Sequence, residues 1–177
     1  MAINNIVDES FIINQKKLKQ FGDRCSNVKI GIMGGTFDPI HYAHLATAEF
    51  IRDNYKLDKI LFIPSGNPPH KKGNITDKYD RYNMVLLSTV NNDDFIVSDI
   101  EIKREKSTYT IDTLKVLKQI YKNAEIYFIT GADAICDIET WKDVEGNFKL
   151  ANFIAATRPG ISLLRANEKI KELKDKY

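Results

Sequence analysis

Five short runs rich in β-branched and aromatic residues, each followed by a stretch with helical spacing, constrain this chain more than any other feature. The runs fall at 28–33, 59–64, 95–98, 125–130 and 152–157, and most are apolar with hardly a break. A strand that is apolar on both faces must be covered on both. The intervening segments at 41–55, 79–90, 110–122, 141–149 and 163–175 carry helical patterns. Strict βα alternation of this kind predicts a parallel sheet between two layers of helices, an α/β, Rossmann-like doubly wound fold in three layers. Residues 1–27 are polar and mixed, with a short amphipathic helix expected through Phe11, Ile12, Leu18 and Phe21. They read as an N-terminal extension ahead of a domain spanning 28–177.

Composition narrows the function classes. A chain of 177 residues with 43% apolar content can bury roughly two-thirds of its unfolded surface without disulfide or metal staples. Its 26 basic and 24 acidic residues leave a formal charge of +2, so no overall basic field draws it to nucleic acid, and phosphate recognition must be local. Cys25 and Cys136 stand far apart with no CxxC spacing, which argues against a disulfide framework or zinc knuckle and fits the cytoplasm. No stretch reaches about 18 consecutive apolar residues, so neither a membrane span nor a signal peptide is expected. Self-association is left open.

The segment Gly31-Ile32-Met33-Gly34-Gly35-Thr36-Phe37-Asp38-Pro39-Ile40-His41-Tyr42-Ala43-His44-Leu45 carries the chemistry. It leaves a strand, is expected to turn through two glycines, and enters a helix. Glycine lets the backbone approach an anion, and the helix N-terminus adds partial positive charge, so a phosphate should sit here. The spacing matches neither the dinucleotide GxGxxG nor a Walker A loop. His41 and His44, three residues apart on the first helical turn, share a face and can donate together to phosphate oxygens. Either residue alone could instead be a satisfied core or cap histidine. Zinc is disfavoured because His70 is the only further histidine.

GGTFDPIHYAH resembles the GGTFDPxHxGH signature of the nicotinate-nucleotide adenylyltransferases, within the wider HxGH nucleotidyltransferase superfamily. Similar in turn are Pro68-Pro69-His70-Lys71, Ser107-Thr108-Tyr109-Thr110-Ile111-Asp112-Thr113-Leu114, Ile129-Thr130-Gly131-Ala132-Asp133 with Trp141 downstream, and Arg158-Pro159-Gly160. These blocks fall in family order across 31–160. Ala43 stands where the family has glycine, a small-for-small change. The family's later Ser-Ser-Thr-x-Ile-Arg motif is absent from these 177 residues, which implies a weaker hold on the ATP triphosphate.

The resemblance implies a nucleotidyltransferase fold and transfer of AMP from ATP to nicotinate mononucleotide. It makes His41 and His44 catalytic and gives Gly34, Gly35, Thr36, Phe37, Lys71 and Arg158 to ATP and its phosphates. It gives Thr110, Asp133, Trp141 and Lys142 to the mononucleotide, with Trp141 stacking on the pyridine ring and Asp133 accepting from a ribose hydroxyl. Mg²⁺ would travel with the ATP phosphates and need no dedicated protein ligands. The residues themselves leave alternatives open. Lys71 suits a solvated loop, Asp133 a helix cap, Trp141 a packing aromatic and Arg158 a strand end, while Tyr109, Asp112 and Thr113 read as helix-entry residues. A pocket that binds nucleotides without turnover, or one that prefers the amide mononucleotide, would share these motifs.

Overall fold

The computed structural model describes residues 2–22, 28–68, 73–157 and 163–177. Five strands, β1 (Lys29–Gly35), β2 (Lys59–Pro64), β3 (Phe95–Val97), β4 (Glu125–Gly131) and β5 (Asn152–Ala156), form one sheet in the order β3-β2-β1-β4-β5. Every pairing is parallel. Successive side chains point to opposite faces, and both faces are apolar. Ile60 and Phe62 join Met33, Val85 and Leu86 beneath one helical layer, whereas Ile30, Ile32, Leu61 and Ile63 join Leu114 and Leu117 beneath the other. This double burial is the reason the strands read as continuous apolar runs, and the expected three-layer α/β architecture is the one observed.

The helices are α1 (Ala2–Gly22), α2 (Tyr42–Tyr55), α3 (Lys78–Thr89), α4 (Thr110–Ile120), α5 (Ala132–Cys136), α6 (Val144–Leu150) and α7 (Leu163–Lys176). Three differences from the sequence reading bear on the site. First, Gly34 and Gly35 do not form the turn. They complete β1, in register with Ile63 and Pro64 of β2, and the chain turns only after Thr36. Second, the segment before α6 is not helical through Trp141; it holds the five-residue α5 and a 3-10 turn over Ile138–Thr140, which leaves Trp141 at the end of that turn. Such short elements carry no periodic signal. Third, α1 is a helix of 21 residues rather than a short one.

α1 covers the sheet edge. The buried Asn14 donates its Nδ2 hydrogen to Val97 O at 2.9 Å and accepts from Val97 N at 2.8 Å, so its amide pairs with β3 as a further strand would. Lys17 Nζ donates to Val90 O and Asn92 O. At the opposite end of the sheet, Ile170 and Leu173 of α7 lie against Ile135 and Ile138, and Lys169 and Lys176 both donate to Glu139. Those two ammonium groups hold the Glu139 carboxyl down at about 2. Among the described residues no helix is long and apolar enough to cross a membrane.

Candidate active site

In open parallel sheets ligands bind beyond the carboxyl ends of the strands, where the strand order reverses. Here the reversal lies between β1 and β4. Their pairing ends at Met33–Ile129, while β1 stays paired to β2 through Gly35 and β4 to β5 through Gly131. The two strands therefore part for their last two residues, and a cavity of about 700 Å³ opens there. Gly34, Gly35 and Thr36 line one side, Thr110 and Thr113 of α4 another, and Trp141 with Lys142 a third. Gly34 bears no side chain that would fill the cleft, and a Cβ on Gly35 would stand 3.1 Å from the Phe37 ring.

Past the glycines the backbone is tightly held. Phe37 is a core residue, 3% exposed, and adopts φ 48°, a left-handed conformation that costs a non-glycine residue about 1–3 kcal/mol and persists only when its surroundings fix it. His41 caps α2, and its ring stacks on that of His44 with centroids 3.8 Å apart. His44 also meets the Phe37 ring edge-on at 5.2 Å. The His41 backbone N–H donates to His44 Nδ1 at 3.3 Å. Because Nδ1 accepts, neutral His44 carries its hydrogen on Nε2.

On the α4 side, Trp141 is half-buried and edge-on to Phe128 (6.1 Å) and Phe153 (6.3 Å), while the same indole faces the cavity. Packing and stacking are thus compatible roles for one ring. Lys142 Nζ pairs with Asp112 at 3.0 Å and lies 4.7 Å from the centre of the Tyr109 ring. Glu101 enters the lining with its carboxylate accepting from Thr113 Oγ1 at 2.7 Å, and Arg104 Nη1 donates to that hydroxyl at 2.9 Å.

The chain matches the cytidylyltransferase-like family over residues 32–176. A protein of Thermoanaerobacter sp. (strain X514), named probable nicotinate-nucleotide adenylyltransferase, is 54% identical over 152 residues, covering 85% of this chain and 72% of that one. The chain belongs to the nicotinate-nucleotide adenylyltransferase family. A Moorella thermoacetica protein of the same name is 52% identical over 147 residues, 82% of this chain and 68% of its own. In solved structures, the Plasmodium falciparum nicotinic acid mononucleotide adenylyltransferase complexed with NaAD superposes with a TM-score of 0.62 at 24% identity, over 84% of this chain and 90% of that one. That likeness shows the nucleotidyltransferase fold. The family signature thus sits on the strand end that borders the cavity.

The residues expected from the sequence fall into five groups. Gly34, Gly35, Thr36, Thr110, Trp141 and Lys142 converge on one cavity. His41 and His44 come together at the start of α2, outside that lining. Phe37 contributes its backbone, since its side chain is core. Asp133 is exposed on the first turn of α5, between the lining residues Thr130 and Ala134. Lys71 and Arg158 lie outside the described residues, as does Cys25. Tyr109 and Thr113 stand at the entry to α4 as expected, Tyr109 at the N-cap position with no side-chain cap bond, and both also line the cavity. Among the described residues no group of three or more His, Cys, Asp or Glu side chains could hold a metal ion.

Glu101 had no sequence signal beyond being one carboxylate among many. Burial pushes its carboxyl above the ordinary range, with the Thr113 hydrogen bond and Arg104 opposing. A carboxyl raised in the folded state binds more protons than in the unfolded chain, so its ionisation lowers stability as pH rises from the usual glutamate range through the folded value. Glu101→Gln, which keeps an acceptor for Thr113, should therefore gain thermal stability over the wild type at pH 8 compared with pH 4. Parallel melting curves that show the same difference at both pH values would contradict this.

Proposed function

We propose that this chain transfers AMP from ATP to nicotinate mononucleotide, yielding nicotinate adenine dinucleotide and pyrophosphate, as a cytoplasmic step of NAD biosynthesis. The observation that carries the reading is the cavity at the sheet's switch point, which joins the glycine end of β1 to the Thr110 and Trp141 wall. One end suits a triphosphate and the other a flat ring with a polar substituent. An oxygen of the mononucleotide phosphate attacks the α-phosphorus of ATP. The new P–O bond forms as the bond to the β-phosphate bridging oxygen breaks, and pyrophosphate leaves with that electron pair. Such a transfer depends on in-line placement and on donors aimed at the developing charge.

His41 and His44 supply those donors. Gly34, Gly35 and Thr36 admit the triphosphate, and the resemblance assigns Lys71 and Arg158 to ATP as well. A divalent metal accompanies ATP in this family; Mg²⁺ would be carried by the phosphate oxygens and water and would neutralise their charge. Thr110 and Lys142 fix the mononucleotide, Asp133 takes a ribose hydroxyl, and Trp141 stacks on the pyridine. Lys142 must then exchange or share its bond to Asp112.

Trp141 is the sole tryptophan, so its emission reports on the pyridine end alone. Nicotinate mononucleotide should quench or shift it in titration, and ATP should do so much less; equal responses, or none, contradict the stacking role. The reaction itself is tested by chromatography after incubation with ATP, Mg²⁺ and nicotinate mononucleotide. Dinucleotide should accumulate, and its absence would overturn the proposal.

A further inference from the structure

Arg81, on α3, is 1% exposed, the least accessible cation in the described core. Among the described residues no carboxylate pairs with it. Its guanidinium is spent on carbonyls: Nη1 donates to Thr36 O at 2.6 Å, Nη2 to Gly66 O at 3.1 Å and Nε to Thr76 O at 3.0 Å. These three oxygens belong to the turn after β1, the loop after β2 and the approach to α3. A second tie joins the first and last, since Thr76 N donates to Asp38 Oδ2 at 3.1 Å. A planar five-donor fork can hold three carbonyls in fixed directions; an ammonium cannot.

The Thr36 bond has a geometric consequence for the site. In a planar trans peptide the C=O and the following N–H point opposite ways, and only Asp38–Pro39 is cis among the described bonds. Drawing Thr36 O toward Arg81 therefore turns the Phe37 N–H away from Arg81, and it helps hold the left-handed Phe37 backbone. Burial pulls the guanidinium below its usual value, with Asp38 and Asp77 opposing, yet an arginine stays charged. A fixed cation thus lies directly behind the turn.

We infer that Arg81 is a positioning residue for adenylyl transfer: its fork sets the Thr36–Phe37 peptide and the Gly66 loop in the orientation that receives the ATP phosphates. This rests on the proposed reaction. Among the described residues the hydrogen bonds of Arg81 go to Thr36, Gly66 and Thr76 and to none of Thr110, Trp141 or Lys142, so its effect should separate the two substrates. Arg81→Lys keeps the charge and loses the fork, and Arg81→Gln loses both.

The test measures Kd for ATP and for nicotinate mononucleotide by calorimetry, and kcat, in wild type and in both variants shown to fold by circular dichroism. Both variants should weaken ATP binding about tenfold or more and lower kcat, because small misplacements of a reacting group are costly. Mononucleotide affinity should stay within about twofold. Full retention of ATP affinity and kcat by Arg81→Lys, or equal loss for both substrates, would overturn the inference. Should neither variant fold, the arginine side-chain Nε–H resonances of ¹⁵N-labelled wild type serve instead. A protected resonance should shift with ATP and hardly with the mononucleotide, and no ATP response overturns the inference. Wild type that binds ATP without releasing pyrophosphate overturns the proposed reaction and leaves the affinities to decide on Arg81. Wild type that binds no ATP overturns both.

Discussion

His44→Ala should lower kcat by about 10²–10³, the usual consequence of removing one preorganised donor from a charge-stabilising site. The expectation follows from three observations. His44 stacks on His41, its ring is braced by Phe37, and its Nδ1 accepts from the His41 backbone, so the imidazole is fixed in orientation. A group held this rigidly acts mainly when charge develops, so the Kd for ATP should change far less than the rate. The variant also removes an edge contact from Phe37, which a melting curve can register separately. An unchanged kcat in a folded His44→Ala protein would remove the histidine pair from the chemistry.

Gly66→Ala should be strongly destabilising for a reason that no helix or strand propensity captures. A Cβ at Gly66 would sit 2.2 Å from the Glu101 carbonyl oxygen and 3.0 Å from its carbon, and backbone atoms cannot rotate aside. The loop after β2 must then lift from the 101–108 segment. The bonds from Asn67 Nδ2 to Glu105 O and from Thr108 N to Asn67 O would be strained with it. So would the Arg81 bond to Gly66 O. Overpacking typically costs about 1–3 kcal/mol, and a clash with backbone belongs at the upper end. For a chain of this size that is a fall in Tm of about 5–10 °C. Gly22→Ala is the control, because nothing lies within 4 Å of a Cβ there. Equal Tm values for the two variants would show that the loop yields freely.

Much of the fold was legible because burial on both faces writes itself into the strands. Ile30 and Ile32 face one helical layer and Met33 the other, and the run between Lys29 and Gly35 has no polar face to confuse its type. The helical spacing of α2, α3 and α4 follows from each having one buried stripe. α1 read as short because its anchors, Asn14 and Lys17, are polar residues whose partners lie more than 70 positions away. Glycine's turn chemistry misled at Gly34 and Gly35, where pairing with β2 keeps them in the strand.

The site divides along the same line. The histidine pair and the glycines stood out from local spacing, and the family blocks brought in Thr110 and Trp141. Arg81 and Glu101 did not stand out, since a charged residue reads as solvated unless its burial is known. Thr113 read as helix-entry chemistry, although its hydroxyl joins Glu101 to Arg104. These contacts are set by how three loops meet above the sheet, and no local pattern encodes that meeting.

Transfer of AMP to the acid mononucleotide is tested most directly by pyrophosphate release from ATP with Mg²⁺, measured with nicotinate mononucleotide and with nicotinamide mononucleotide in parallel. Pyrophosphate and dinucleotide should form in equal amounts. The kcat/KM for the acid should be at least about tenfold above that for the amide, the scale of discrimination expected where polar groups are placed for one substituent. No release above the enzyme-free blank with either acceptor, or equal turnover of the two, would contradict it.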